Sequence, residues 1–136
     1  MNVKQLYQLL QQSGIKFYDY KIGMSKAITL EVNQQYGIFV DTSKIDSEAE
    51  EYCIMAHEGG HCATGCTHKV SSPLDLIEKH EYKADKWAVH RVLPIADLKD
   101  ALKHGHTEIW DLADYFGVTE DFIRRALDIY KREGLL

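Results

Sequence analysis

Apolar residues fall at helical spacing near the start of the chain, at every second position in the next stretch, and at helical spacing again further on. Val3, Leu6, Tyr7, Leu9 and Leu10 form one face of a helix that stops at Ser13-Gly14. Three short segments of period-two alternation follow: Ile15 to Phe17, then Ile28, Leu30 and Val32 separated by Thr29 and Glu31, then Tyr36, Ile38 and Val40. Gly23 and Asn33 supply turn signals between them. Short connections favour an antiparallel three-stranded sheet, and the alternation predicts that one of its faces is covered by helices.

Ser47-Glu48-Ala49-Glu50 reads as a capping box opening a second helix that runs to about Gly65, with Glu48, Glu50 and Glu51 complementing its dipole. Gly59 and Gly60 each cost about 1 kcal/mol inside a helix relative to Ala, which calls for a packing reason. Contact with the sheet is the simplest one. Ser72-Pro73 supplies an N-cap and a first helical residue for a third helix that ends at Pro94, and the loop from Thr67 to Ser71 is placed at the rim of a cleft. Leu112 to Thr119, followed by Phe122, Ile123, Ala126 and Leu127, predicts two helices joined at Gly117, with Thr119 capping the second in the manner of a helix-turn-helix. The fold class expected is α+β, a small three-stranded antiparallel sheet packed on helices with a C-terminal helical hairpin. At 136 residues the chain makes one domain, residues 1–104 forming the core and 105–136 the hairpin.

His57-Glu58-Gly59-Gly60-His61 carries the chemistry. A helix turns about 100° per residue, so His57 and His61 project from one face and can reach a single cation, while Glu58 points beside it. There Glu58 can act as the base toward a zinc-activated water. In the third helix Ile77, Glu81, Ala84, Asp85, Ala88 and Val92 share one face, apolar except for its two acids. Burying a carboxylate costs several kcal/mol unless it is paired or bound to metal. Glu81 as third ligand, and Asp85 as acceptor for the outer N–H of a ligand histidine, account for both. Ala84 and Ala88 are small enough for the two helices to approach closely. Three protein ligands leave zinc's fourth position for water, as in catalytic sites. A further donor toward a developing oxyanion is available by type in His68, His80, Tyr82, His90, His104 and His106, with His90 on the wrong face of its helix.

Ala56-His57-Glu58-Gly59-Gly60-His61, Glu81-Tyr82-Lys83-Ala84-Asp85-Lys86-Trp87-Ala88 and Val92-Leu93-Pro94 together resemble the ImmA/IrrE family of metallo-endopeptidases, within the gluzincin group of zinc proteases. The likeness spans about residues 47 to 94 and continues weakly to the C-terminus. Family members commonly have a bulky aliphatic residue where Gly59 stands, and often Asn where Asp85 stands. The resemblance implies a zincin-like fold and a Zn2+ cofactor held by His57, His61 and Glu81. It further implies cleavage of a protein substrate, a helix-turn-helix repressor of a prophage or mobile element.

Charge and cysteines narrow the alternatives. A net charge of −5 gives no general attraction to nucleic acid or anionic membrane, no stretch has the length of an apolar membrane span, and no leader pattern opens the chain, so a cytoplasmic protein is expected. Three cysteines fit a reducing compartment. Cys62, Cys66 and His68, following His61, offer a competing closed structural zinc site, but that reading leaves Glu58, Glu81 and Asp85 without a role. A DNA-binding or protein-binding regulator with a structural or non-catalytic zinc site is the other alternative. Its phosphate contacts would fall to Arg124 and Arg125, yet acidic residues outnumber basic ones from Thr107 to Leu136.

Overall fold

The computed structural model describes residues 1–23, 25–67 and 74–136. Helix α1 (Val3–Gln12) opens with a capping box between Asn2 and Gln5 and ends at Gly14, whose φ of 84° suits a residue without Cβ. Strands β1 (Lys16–Asp19), β2 (Ala27–Val32) and β3 (Gln35–Val40) follow. Then come α2 (Glu48–Thr64), α3 (Leu74–Val92), α4 (Ile95–Lys103), α5 (Ile109–Phe116) and α6 (Glu120–Arg132). The class is α+β, as expected. Ser72 and Pro73, read as the start of α3, lie outside the described residues, as does most of the loop expected at the cleft rim.

The sheet departs from the antiparallel expectation. Its order is β1-β3-β2, with β2 antiparallel to β3 and β1 parallel to it. Asn33 and Gln34, with φ of 52° and 63°, make the two-residue turn of a tight hairpin. Strand β1 pairs with the other edge of β3, which makes β3 central and leaves the second edge of β2 free. The chain between β1 and β2 passes the end of β3, where Tyr20 N–H donates to the Val40 carbonyl and Asp41 N–H donates to that of Lys26.

Strand β2 also reverses the polarity that alternation suggests. Ala27, Thr29 and Glu31 lie beside Val40, Ile38 and Tyr36 on the face toward α2, and the Thr29 hydroxyl donates to the Glu58 carbonyl oxygen. The apolar set Ile28, Leu30 and Val32 faces outward and is exposed. In β3 the pattern runs as predicted, Ile38 and Val40 being buried under the helices.

The core lies between the inner sheet face and the helices. Leu6 and Leu10 of α1, Met55 of α2, Val89 of α3, Leu98 of α4, Leu112 of α5, and Ile123 and Tyr130 of α6 are all buried in it. The Tyr130 hydroxyl donates to the Leu93 carbonyl at 2.7 Å, tying α6 to the end of α3. Helix α4 was not expected from the sequence, although Ile95, Leu98, Ala101 and Leu102 hold helical spacing and Leu98 and Ala101 are buried. Pro94 ends α3 and stands at the N-cap of α4, so one residue closes one helix and opens the next.

The glycines of α2 meet helices and not the sheet. A methyl on Gly59 would lie 2.9 Å from Leu10 Cδ2 and 3.3 Å from the Trp87 ring. One on Gly60 would lie 2.4 Å from the Ala84 carbonyl oxygen. Gly60 against Ala84 is the close crossing of α2 and α3 that brings the candidate ligands together. Among the described residues, no helix is long and apolar enough to cross a membrane.

Candidate metal centre

Ser47 caps α2 by accepting from Glu50 N–H at 3.0 Å. The reciprocal half of the expected capping box is not made, because the Glu50 carboxylate pairs with Lys26. Gly65, at φ 65°, ends the helix where expected. The last turns of α2 present His57, Glu58 and His61, and α3 presents Glu81 and Asp85 across the Gly60–Ala84 contact.

His57 Nδ1 donates to Asp85 Oδ1 at 2.7 Å, and His61 Nδ1 donates to the Cys66 carbonyl oxygen at 2.7 Å. With both Nδ1 atoms engaged, both Nε2 atoms turn to one point, 3.2 Å apart. The Glu81 carboxylate closes the triangle, Oε2 at 2.7 Å from His57 Nε2 and Oε1 at 3.1 Å from His61 Nε2. Zinc holding N and O atoms at about 2.0–2.1 Å in a tetrahedron separates them by about 3.3 Å. The triangle therefore has nearly the size that one such ion needs. Among the described residues, His57, His61 and Glu81 are the one group of three His, Cys or acidic side chains with this convergence.

The electrostatics agree with a cation's place. Burial alone would lower His57, but the hydrogen bonds it donates to Asp85 and Glu81 outweigh it and carry the imidazole up to about 10. The bond between His57 Nε2 and Glu81 thus lies where a metal would be held. The same two imidazoles, by hydrogen bonding, hold the Glu81 carboxyl well below the usual carboxylate range. Glu58 is buried, 6% exposed, and burial raises its carboxyl above the ordinary value, against the pull of His57 and His61. Thr29 Oγ1 lies 3.3 Å from Glu58 Oε1.

A cleft runs over this group. One lobe, between α2, α3 and α6, is lined by Lys26, Cys53, Ile54, Thr119, Arg124 and Arg125. The other, along β2, is lined by Ile28, Thr29, Leu30, Glu31 and Ile77. Both share Ala27, His57, Glu58 and Glu81. Arg125 reaches Asp85 Oδ1 at 3.3 Å, the same oxygen that His57 uses, and Arg124 pairs with Glu120 and Asp121. The two arginines considered as phosphate contacts thus stand at the cleft wall.

Thr29, the Cys66 carbonyl and Arg125 were not foreseen. Thr29 gave a weak signal, as a polar position in an apolar strand; Arg125 gave none, being forty residues from the group it touches. Of the side chains considered for an oxyanion, Tyr82 packs on Arg132, His90 bonds Glu133, His104 bonds the Asp100 carbonyl, and His106 bonds Asp111. None of these four lines the cleft, nor does His80, and His68 lies outside the described residues. Cys62 and Cys66 are buried.

No curated protein and no solved structure matches the chain. Residues 2–128 match the IrrE N-terminal-like domain of the M78 peptidases. With nearly the whole chain covered, and with the histidines and the glutamate placed as a metal-dependent hydrolase requires, the protein belongs to the ImmA/IrrE family of metallopeptidases.

Proposed function

We propose that the protein is a zinc-dependent endopeptidase of zincin-like architecture that hydrolyses a peptide bond within a protein substrate. The convergence of His57, His61 and Glu81 beside the buried carboxylate of Glu58 carries this reading. Two imidazoles and one carboxylate suit zinc, which when bound supplies a Lewis acid and makes water a stronger acid at neutral pH.

The remaining work falls to the chain's own groups. Asp85 and the Cys66 carbonyl hold the two imidazoles in the tautomer that points Nε2 inward. Glu58, whose burial raises its proton affinity, takes a proton from the attacking water and passes it to the leaving amine. An extended substrate segment adds to the free edge of β2, so that backbone hydrogen bonds draw its scissile carbonyl over the ligand group. The substrate we propose is a helix-turn-helix repressor of a prophage or mobile element, a reading supported by family membership.

Incubating the zinc-loaded protein with candidate repressors encoded in the same genome, and mapping fragments by mass spectrometry, tests the substrate. Intact proteins across the set would count against it. Glu58→Gln tests the chemistry: turnover should fall by at least ~100-fold, the contribution of a positioned acid–base group, while bound zinc stays at one per chain. Unchanged cleavage, or loss of the metal, would contradict the assignment.

A further inference from the structure

The free edge of β2 has a fixed phase. A two-residue hairpin closes on a hydrogen-bonded pair, here Val32 with Gln35, and such pairs then alternate along the ladder. The Asp41 N–H to Lys26 carbonyl bond at 2.8 Å confirms that phase at the far end. Ile28, Leu30 and Val32 therefore spend their backbone groups on β3. Ala27, Thr29 and Glu31 aim theirs at the open edge, where among the described residues no strand pairs.

A strand added there would meet Ile28 and Leu30 at non-hydrogen-bonded positions, where facing side chains come closest. The two residues are 40% and 45% exposed, and their strand forms one wall of the cleft lobe that holds His57, Glu58, His61 and Glu81. They also end an apolar row across the outer sheet face. Tyr18 stacks on Phe39 at 4.8 Å, and Phe39 is paired with Ile28. The row stops at the open edge of β2, the strand whose inner face meets Glu58 through Thr29.

We propose that the protein selects substrate segments with apolar side chains at two alternate positions, i and i+2, which extend the Tyr18–Phe39–Ile28 row and cover Leu30. This rests on the peptidase reading for the identity of the occupant. The side chain between the two points inward, past Thr29 toward Glu58, and is bounded by the polar inner face of β2. The pattern apolar-x-apolar follows from the reversed polarity of the strand and does not depend on which residue flanks the scissile bond.

The test uses zinc-loaded Glu58→Gln protein and fluorescent octapeptides, apolar at alternate positions or with serine in their place, with binding read by anisotropy. Each apolar-to-serine exchange should weaken binding about two- to fivefold. The Ile28→Ser/Leu30→Ser protein, altered only at exposed side chains, should lose the discrimination and keep its zinc. Equal affinity for both peptides overturns the proposal, and the comparison needs no change in the strand. A free protein that sediments as a dimer, and dissociates on Ile28→Ser, assigns the face to a second copy and overturns it too. If wild-type protein cuts both peptides at equal rates, this inference fails while the peptidase reading stands. If the apolar pattern binds better but nothing is cut, the surface is supported and the peptidase reading fails.

Discussion

Gly60→Ala adds one methyl at the place where α2 and α3 cross. The new Cβ would lie 2.4 Å from the Ala84 carbonyl oxygen and 2.9 Å from its Cα. Ordinary contact begins near 3.4 Å, so the helices must part by about 1 Å. The obstacle is backbone and cannot rotate away, which places the cost in the upper part of the ~1–3 kcal/mol typical of overpacking. Alanine's better helix propensity offsets about 1 kcal/mol of that. The net loss expected in urea unfolding of the metal-free protein is ~1–2 kcal/mol. Glu81 stands one turn before Ala84, so the same shift carries its carboxylate away from the imidazoles. Metal ligation tolerates misplacement of only about 0.2 Å, so zinc affinity should fall at least ~tenfold by competition with a chromophoric chelator. Gly59→Ala is the control: the nearest neighbours of its methyl are the two Leu10 methyls and the Trp87 ring, side-chain atoms able to turn aside. There stability should hold or rise by up to ~1 kcal/mol. If Gly60→Ala proves as stable and as metal-avid as the parent, or Gly59→Ala the worse of the two, the crossing does not set the site.

Further expectations concern the site's supports and its protons. Asp85→Ala removes the acceptor that fixes His57 and should lower zinc affinity ~10–100-fold by the same chelator assay; an unchanged value would show that Asp85 does not orient the ligand. Because His57 is raised from 6.5 to about 10 in the metal-free protein, zinc must displace its proton at neutral pH. Affinity should therefore climb with pH until about 10, and because the His61 imidazole is raised as well, calorimetry in buffers of different ionisation enthalpy should count at least one proton released. No proton released at pH 7.5 would refute the raised value. The same group's contribution to metal-free stability is present in full below pH 6.5 and disappears as pH rises through about 10. Gln34, a non-glycine residue at φ 63° in the hairpin turn, should stabilise the protein by ~1 kcal/mol when replaced by Gly, read as a rise in Tm; no change would mean the turn carries no strain.

The candidate metal centre was legible because its parts are local or periodic. His57, Glu58 and His61 sit within one helical turn, and Glu81 and Asp85 betray themselves as acids on an otherwise apolar face. The Cys66 carbonyl could not be seen, since a backbone acceptor leaves no trace in residue type. The sheet was half legible. Alternation tells which residues of β2 share a face but not which face meets the core, and the expected direction failed because its inward side looks onto the site as well as the core. The parallel pairing of β1 reflects its docking on β3 and not on the open edge of β2, a choice between two edges that no single segment encodes. The spacing of helix α4 is present in the sequence, but Pro94 signals the end of one helix, and nothing in that signal tells that it also opens another.

One oxygen of Asp85 serves both an imidazole of α2 and the guanidinium of Arg125 in α6. During synthesis the ribosome releases His57, Glu58, His61 and Glu81 well before residue 125. A nascent chain at that stage holds the candidate metal ligands but lacks both the far bank of the cleft and the Arg125 contact with Asp85. The hold of α6 on Asp85 thus links the last helix of the chain to the support of His57 in the second.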